Sequence, residues 1–415
     1  MRDYDAIVVG AGPGGLIAAK TLAEKGFNTL CLDRKQEIGP PKRCAEGLGG
    51  GWFQRCGIKP EKEWAVQDIY GAVLYSPNGK RLELRSNKVA GYVLERKIFE
   101  KDLARYASFA GARIQCKSFV QSAKRENGKV ILEVNEFDEI KQYRAPLIIG
   151  ADGVDSRVGR FLGMKTHNKL IDIDSGFQYE MSNIDGYEED LLHLWFGVDV
   201  APRGYVWIFP KRARTGNVGI GIGAYVEKTA RYYLDKWIAQ HPNISKGSII
   251  EVNGSSIPVG GFMDNMVADN LMLVGDAAHQ VDPIHGGGIG IAMEAAMLAA
   301  NVAAEVRDQG KNFSQANLSP YNPRWYAARG NQLKKRLKGR HLLEKLSDKD
   351  FDILAEALTA EECLKIADGE FDSKEKFFTL TKKLVQHPGL VGVMTKYLSP
   401  ATPEDAVTGN APGKA

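Results

Sequence analysis

The stretch AIVVGAGPGG, residues 6–15, decides the fold of this chain. Its four apolar residues are typical of a buried parallel strand, and they lead into a Gly-x-Gly-x-x-Gly motif made by Gly10, Gly12 and Gly15. Residues 16–24 then have the pattern of a helix. In such a unit the glycines permit a tight turn, the approach of a pyrophosphate and close packing of helix on strand, and the helix N-terminus attracts the phosphates. The stretch therefore predicts a dinucleotide-binding unit.

An acidic residue completes this motif. Residues 29–32, TLCL, predict a second buried strand that ends immediately before Asp33. In dinucleotide-binding folds an acid about 20 positions after the glycines binds a ribose hydroxyl. This first motif alone leaves NAD and FAD open as the ligand.

Two later segments show a similar pattern, in which a short apolar run is followed by glycine and aspartate. Residues 147–150 form one such run shortly before Asp152, and residues 271–274 form another shortly before Asp276. Three glycines and a helix of small residues follow within 286–306.

Together these three segments resemble the fingerprints of the FAD-dependent family typified by p-hydroxybenzoate hydroxylase. The resemblance implies that FAD is the cofactor and that Asp276 holds its ribitol. It also implies that the helix starting near Ile289 points its positive end at the flavin, where a reduced flavin carries negative charge. The residues that the resemblance assigns to FAD are Gly10, Gly12, Gly14, Gly15, Asp33, Arg43, Cys44, Ala45, Gly47, Arg96, Val120, Asp152, Asp276, Gly288 and Ile289.

Two local motifs narrow the resemblance to the archaeal geranylgeranyl reductases. They are GPPKRCAEGL at residues 39–48 and GYVWIFP at residues 204–210, and the resemblance extends from residue 1 to about residue 345. It implies an enzyme that saturates the isolated C=C bonds of geranylgeranyl chains on ether phospholipids such as digeranylgeranylglycerophospholipid. A hydride from N5 of the reduced flavin and a proton would complete the reaction.

The candidate catalytic residues are Cys44 and Glu46, in the loop that this resemblance brings near the flavin. For both, a purely structural place in the loop is an open alternative.

The candidate substrate wall is an aromatic stripe. Tyr205, Trp207 and Phe209 alternate along a predicted strand and so share one face, where they can line an apolar tunnel or belong to the core. His279 and His285 precede the last flavin helix and are candidates for contact with substrate and for proton donation.

Other functions are possible on this scaffold. A flavin-dependent monooxygenase or halogenase is one alternative, although halogenases usually carry Trp-x-Trp-x-Ile-Pro and this chain has no Trp-x-Trp. A prenyl-binding carrier resembling Rab GDP-dissociation inhibitors is another, and there the flavin is lost. Retention of Asp33, Arg96 and Asp276 argues against a carrier.

The predicted fold class is α/β with α+β elements, in which a Rossmann-like FAD-binding domain is interleaved with an antiparallel β-sheet substrate domain. A C-terminal helical region follows. The predicted boundaries are 1–65, 92–171 and 265–310 for the FAD-binding domain, 66–91 and 172–264 for the substrate domain, 311–400 for the helical region, and 401–415 for a disordered tail.

Composition limits the partners and the compartment. A net charge of +4 over 415 residues gives no indication of a nucleic-acid partner. Five scattered cysteines argue against a disulfide framework and an iron–sulfur cluster, and no metal site is predicted. No signal peptide is evident, and Glu294 interrupts the longest apolar run. The protein is expected in the cytoplasm.

A basic stretch suggests contact with the inner face of the cell membrane. Residues 325–343 combine an aromatic pair, several lysines and arginines, and leucines at helical spacing. A solvated helix packed on the flavin domain is the alternative. The electron donor is left open among a ferredoxin, NAD(P)H and another reductant, because no second complete glycine motif is visible.

Overall fold

The computed structural model describes residues 2–362 and 387–398. Cys363, the predicted tail at 401–415 and part of the predicted helical region lie outside the described residues.

The described residues contain twenty strands. In chain order they are β1 (Arg2–Asp3), β2 (Ala6–Val9), β3 (Thr29–Leu32), β4 (Gly47–Gly49), β5 (Ala65–Ile69), β6 (Gly71–Tyr75), β7 (Arg81–Arg85), β8 (Gly91–Leu94), β9 (Arg113–Gln115), β10 (Ser118–Glu126), β11 (Lys129–Glu136), β12 (Glu139–Ala145), β13 (Leu147–Gly150), β14 (Ile173–Ser182), β15 (Leu191–Phe196), β16 (Tyr205–Arg212), β17 (Thr215–Gly223), β18 (Ser248–Pro258), β19 (Val267–Ala268) and β20 (Leu271–Leu273).

The same residues contain twelve α-helices, a π-helical turn at Tyr326–Gly330 and three short 3-10 turns at Gly153–Asp155, Leu170–Asp172 and Gly275–Ala278. The α-helices are α1 (Pro13–Glu24), α2 (Gly51–Arg55), α3 (Arg96–Phe109), α4 (Arg157–Phe161), α5 (Ala230–Ala239), α6 (Pro242–Ser245), α7 (Ile289–Asp308), α8 (Gln315–Leu318), α9 (Tyr321–Trp325), α10 (Asn331–Leu343), α11 (Asp348–Ala357) and α12 (Leu390–Leu398).

A six-stranded sheet forms the cofactor-binding half, with the strand order β19-β20-β13-β2-β3-β9. All of its pairs are parallel except β19 with β20. Strands β2, β3, β13 and β20 are buried along their whole length, as expected for short apolar runs covered on both faces. Helix α1 packs between this sheet and α7 and α3. This arrangement confirms the predicted α/β fold class.

A seven-stranded sheet forms the second half, with the order β18-β14-β17-β16-β15-β6-β7. The prediction that this sheet is antiparallel is wrong at one place, because β15 and β6 are parallel. The chain leaves this sheet after β7 and passes through the cofactor-binding half before it returns, so no tight hairpin forces an antiparallel pair. Strand β18 was not predicted, because its polar residues and Gly254 weaken the strand pattern.

Two smaller sheets complete the β structure. One has the order β1-β12-β11-β10, and the other has the order β4-β8-β5. The three-stranded sheet leads directly into α3 and begins at Gly47, so it connects the loop around Cys44 to the start of that helix.

Helix α7 is the core helix of the cofactor-binding half. Among the described residues it alone is long and apolar enough to cross a membrane by length and composition, but 67% of its apolar window is buried inside the protein. Its small residues, such as Ala295, Ala296 and Ala299, are fully buried. This pattern is that of a soluble core helix rather than a lipid-exposed one.

Helix α10 carries the basic stretch that the sequence analysis assigned to a membrane surface. Its lysines Lys334, Lys335 and Lys338 are exposed, whereas Arg336 pairs with Asp282 and Arg340 pairs with Asp174. The two arginines therefore anchor the helix to the body of the protein, while the three lysines stay on its exposed side.

Candidate active site

Residues of both large sheets line one cavity of about 960 Å³, a volume at the upper end of the range for small-molecule sites. Most of the residues predicted from the sequence meet there. Those that line it are Gly12, Gly14, Gly15, Arg43, Cys44, Ala45, Glu46, Gly47, Arg96, Tyr205, Trp207, Phe209, Asp276, His285, Gly288 and Ile289. Five other candidates, Gly10, Asp33, Val120, Asp152 and His279, are not among its lining residues.

The glycine turn before α1 is built for close backbone approach. Gly10 has a φ of +103°, and a Cβ there would lie 2.2 Å from the carbonyl oxygen of Ala151. A Cβ at Gly15 would lie 1.8 Å from the carbonyl oxygen of Gly10, whereas a Cβ at Gly12 would meet nothing within 4 Å. Helix α1 begins with no side-chain cap and no acid in its first turn. Because Gly12, Gly14 and Gly15 line the cavity, the positive N-terminus of this helix faces it, as a pyrophosphate requires.

Asp33 lies behind this turn. Its carboxylate accepts hydrogen bonds from the backbone N–H of Ala11 at 2.7 Å and of Lys35 at 2.8 Å. The carboxylate therefore fixes the shape of the turn, and its buried position keeps it out of the cavity lining.

The N-terminus of α7 forms a second positive end. Like α1, this helix begins with no side-chain cap and no acid in its first turn. Asp276 lines the cavity just before it, and a Cβ at Gly288 would lie 3.2 Å from the Asp276 Oδ1. Burial raises the pKa of Asp276, and nearby Arg96 opposes this shift. A bound flavin with a ribitol hydroxyl donor and an anionic edge fits this donor and acceptor set.

Three of the candidates outside the cavity have their polar groups or side chains engaged elsewhere. The Asp152 Oδ2 accepts a hydrogen bond from the Val158 N–H at 3.0 Å, and Val120 is buried in β10. The Nε2 of His279 lies 3.2 Å from the carbonyl oxygen of Thr166. The structure therefore does not bring His279 to the substrate cavity.

The loop at residues 43–47 is fixed to the seven-stranded sheet through its backbone. The Nε2 of Gln178 donates to the Cys44 carbonyl at 3.1 Å, and the Nδ2 of Asn217 donates to the Ala45 carbonyl at 3.0 Å. The Cys44 Sγ accepts from the Glu46 N–H at 3.1 Å. The loop that reaches the cavity is thus held from β14 and β17.

Glu46 does not point its carboxylate into the cavity but into a buried ion cluster. Its Oε2 lies 2.8 Å from the Nζ of Lys42 and 2.9 Å from the Nζ of Lys211, and both lysines are almost fully buried. The Oε1 accepts from the backbone N–H of Arg96 at 2.8 Å. Burial alone would raise the pKa of Glu46, but Lys211 and Lys42 outweigh it and lower this pKa. Glu46 is therefore an ionised anchor.

Sequence analysis missed the partners of this loop. Lys42 lies inside the quoted motif and Lys211 follows the aromatic strand, but charged residues at such positions are usually exposed. Gln178 and Asn217 carry no sequence signal beyond polar residues in predicted strands. Their roles depend on strand register, which one sequence does not specify.

The aromatic stripe belongs to one face of β16, as predicted. Trp207 donates its Nε1–H to the Oε1 of Gln178 at 2.9 Å, and Tyr205 donates its hydroxyl to the His285 carbonyl at 2.8 Å. Val206 and Ile208 point to the opposite face and belong to the core beneath the sheet. The stripe is therefore a cavity wall.

The cavity-facing side of this sheet changes character from edge to edge. One register row crosses all seven strands, and it runs through Leu82, Leu74, Leu194, Trp207, Gly219, Gln178 and Asn253. It passes from aliphatic to aromatic and then to glycine and amide groups. A Cβ at Gly219 would lie 2.4 Å from the Trp207 ring, so this glycine makes room for the indole.

A charged group stands opposite the stripe. The His285 Nε2 lies 3.3 Å from the Asp282 Oδ2, and Asp282 also pairs with Arg336. The imidazole is about half exposed, and its Nδ1 accepts a hydrogen bond from the Gly287 N–H at 3.1 Å, so Nε2 carries the proton that faces Asp282. Loss of hydration disfavours the charged imidazole, but Asp282 outweighs this and raises the pKa of His285.

The fold and this site define a FAD-dependent oxidoreductase, and comparisons with known proteins agree. Residues 5–131 match the FAD binding domain and residues 172–257 match the geranylgeranyl reductase catalytic domain. Digeranylgeranylglycerophospholipid reductase 3 of Methanosphaera stadtmanae is 38% identical over 373 residues, covering 88% of this chain and 94% of that protein. The chain belongs to the digeranylgeranylglycerophospholipid reductase family.

Comparison with solved structures also finds a protein that is described as geranylgeranyl reductase-like. A geranylgeranyl bacteriochlorophyll reductase-like protein from Thermoplasma acidophilum is 34% identical with a TM-score of 0.85, and the match covers 93% of this chain and 99% of that one. The myxobacterial chondrochloren halogenase CndH has a TM-score of 0.69 at 18% identity, covering 98% of this chain and 99% of that one. This second likeness shows the shared fold alone. The predictions of FAD and of a reductase family are confirmed.

Proposed function

We propose that this enzyme saturates the isolated C=C bonds of geranylgeranyl chains carried by ether phospholipids such as digeranylgeranylglycerophospholipid. The observation that carries the proposal is the continuity of one cavity. It runs from the positive ends of α1 and α7, past the loop at Cys44, to the aromatic and aliphatic face of the seven-stranded sheet. A polar redox cofactor and a long apolar chain can therefore meet in one space.

The residues that would hold FAD follow from the geometry. The N-terminus of α1 suits the pyrophosphate, Asp276 suits the ribitol, and the N-terminus of α7 suits the pyrimidine edge of the flavin. When bound in its reduced form, FAD supplies the hydride that the alkene accepts.

The protein itself orients the alkene, excludes water and holds a proton nearby. An isolated alkene has no carbonyl that could stabilise negative charge, so protonation must accompany or precede hydride transfer. Glu46 is ionised and engaged by two lysines, which makes it unsuitable as the acid. His285 lines the cavity and has a raised pKa. We therefore propose that the alkene receives its proton from the side of the cavity that His285 lines.

The test is anaerobic incubation of the reduced holoenzyme with digeranylgeranylglycerophospholipid, followed by mass spectrometry of the lipid. We expect a gain of two hydrogens for each double bond reduced. An oxygenated product that appears only with O₂ would instead identify a monooxygenase. A colourless protein that returns the lipid unchanged would identify a carrier.

We also propose a peripheral association with the inner face of the cell membrane, because the substrate is a bilayer lipid. The exposed lysines of α10 support this location. Electrons would come from a ferredoxin, NAD(P)H or another small reductant. Reduction of the flavin by each donor under anaerobic conditions, followed by its absorbance, distinguishes them.

A further inference from the structure

One helical wall of the cavity changes its chemistry along its length. The wall consists of α10 and the π-helical turn before it, and Arg329, Gln332, Leu333, Arg336 and Leu343 line the cavity. Their spacing of three, four and seven residues puts them on one side of the helix. From the first to the last of them the helix rises roughly 20 Å.

The far end of this wall is apolar. Leu343 lies there with Phe351 and Leu354 of α11, and the rings of Phe351 and Phe196 are 6.1 Å apart. The aliphatic half of the seven-stranded sheet, represented by Leu74, lines the same region. This end suits a hydrocarbon chain.

In the middle of the wall each arginine has a carboxylate of its own. Arg336 pairs with Asp282, which also faces His285. The next arginine, Arg340, is buried against Asp174. These pairs attach α10 to the protein, and neither Asp282 nor Asp174 is shared with a second arginine among the described residues.

The near end of the wall has an excess of positive charge. The guanidinium of Arg329 lies 4.7 Å from the ring centre of Trp52, and the guanidinium of Arg55 lies 5.8 Å from it. Both arginines share one carboxylate, since Arg329 lies 2.9 Å and Arg55 3.4 Å from Glu294. Two guanidinium groups on one carboxylate leave a net charge of about +1 at this end.

The indole holds this pair in a fixed place. A Cβ at Gly290 would lie 2.1 Å from the Trp52 ring, so the indole packs directly on the backbone of α7. Trp52, Arg55 and Arg329 all line the cavity, and cation–π contact orients each guanidinium. The result is a cationic site at the end of the cavity opposite to the apolar one.

We propose that Arg55 and Arg329 bind the phosphate of the substrate's head group while its prenyl chains extend along α10 toward Leu343. Guanidinium groups suit phosphate because they donate paired hydrogen bonds to its oxygens. An amphiphilic lipid matches a cavity with one cationic and one apolar end. This inference rests on the proposed function and adds the orientation of the substrate to it.

The test is equilibrium binding to the oxidised holoenzyme, which needs no turnover. Two lipids in the same neutral detergent are compared, digeranylgeranylglycerophospholipid and the phosphate-free digeranylgeranylglycerol. We expect Arg55→Ala and Arg329→Ala to weaken binding of the phospholipid about tenfold or more, since hydrogen bonds to a charged group are lost. Binding of the neutral lipid should stay the same, and the exposed Arg113→Ala should change neither.

A substitution that is expected to strengthen phospholipid binding provides a second test. Glu294→Gln removes the shared carboxylate, so phospholipid binding should become tighter while neutral-lipid binding stays unchanged. Equal weakening of both lipids in the arginine variants would mean a structural role for the pair and would overturn the proposal. Unchanged phospholipid binding in both variants would overturn it as well.

A free phosphate ion is the other source of the same chemistry. Inorganic phosphate should compete only weakly with the phospholipid, because it lacks the prenyl chains. Tight binding of phosphate, together with tighter binding of the neutral lipid in its presence, would assign the site to the free ion and overturn the head-group role. Failure of the proposed function is recognised separately, as intact double bonds in the anaerobic assay.

Discussion

At the scale of single residues, Glu46 explains how the loop at the cavity keeps its shape. Its backbone has a φ of +73°, which few non-glycine residues adopt. Its carboxylate compensates by accepting hydrogen bonds from Lys42, Asn217 and the N–H of Arg96. Because Glu46 shares two buried ammonium groups with Glu180 and Glu95, it is one of several carboxylates that neutralise them, and it stabilises the fold more than a surface glutamate does.

We expect Glu46→Gln to lower the free energy of unfolding by about 1–3 kcal/mol at pH 7, because it removes one of the carboxylates that neutralise two buried lysines while Glu180 and Glu95 remain. The folded-state pKa of Glu46 is lowered, so its stabilisation is complete above the ordinary glutamate pKa of about 4.3 and is lost as the pH falls through the folded-state value. Urea unfolding at several pH values measures this. The exposed Glu139→Gln serves as the control, with an expected change within about 0.5 kcal/mol. A pH-independent difference between the wild type and Glu46→Gln would contradict the ionised state.

Cys44 belongs to the same loop but has its thiol at the cavity side. We expect Cys44→Ser to fold and to retain FAD while it loses alkene reduction, because the side chains of Gln178 and Asn217 hold the loop backbone. Flavin absorbance, thermal unfolding and lipid turnover are the measurements. Cys116→Ser, which does not line the cavity, is the matched control. Full turnover by the Cys44 variant would remove this residue from the mechanism.

At the scale of elements, β16 separates a cavity face from a core face. Trp207 and its aromatic neighbours line the cavity, whereas Ile208 is buried beneath the sheet. The two faces therefore predict different consequences for a truncation at adjacent positions of the same strand.

We expect Trp207→Ala to change which double bonds of the substrate are reduced, because it enlarges the cavity at the wall that Trp207 lines. Ile208→Ala should instead leave the product pattern intact and lower the free energy of unfolding by about 2–5 kcal/mol, as a core truncation does. Mass spectrometry of partly reduced lipid and thermal unfolding give the two readouts. An unaltered pattern for Trp207→Ala, with a stability loss as large as that of a buried tryptophan, would assign the indole to the core.

The elements also show what the sequence could predict. The unit of β2, the glycine turn and α1 was predictable because its apolar run, glycines and acid have fixed spacings. The alternation of Tyr205 and Trp207 was predictable for the same reason. The parallel pairing of β6 with β15 was not, because it joins segments more than 100 residues apart. The ion cluster at Glu46 has the same cause, since Lys211 reaches it only through strand register.

At the scale of the whole molecule, the two large sheets enclose the cavity and α10 closes one side of it. The inward side of α10 carries Arg336 and Arg340, which are paired with acids of the body. The outward side carries Lys334, Lys335 and Lys338, which are exposed. One helix thus borders the lipid cavity and presents positive charge to the solvent.

This division yields a prediction for membrane binding. We expect the protein to co-sediment with vesicles containing anionic lipid and to be released by salt, because surface charges are screened within about 10 Å at 0.1 M ionic strength. The triple variant Lys334→Glu, Lys335→Glu and Lys338→Glu should bind much less, at about 1 kcal/mol lost for each lysine near the surface. Arg336 is left unchanged because its pair with Asp282 would confound the result.

A second triple charge reversal, on the four-stranded sheet, serves as the control. It shows whether membrane binding depends on the position of the lysines or on the net charge of the protein. Lys124→Glu, Lys129→Glu and Lys141→Glu alter the total charge by the same amount at partly exposed positions. If the lysines of α10 form the contact, this control binds like the wild type, and the α10 variant still reduces lipid presented in detergent while failing on vesicles. Equal loss of binding in both variants would instead attribute membrane association to overall charge, because neither patch would then be the specific contact.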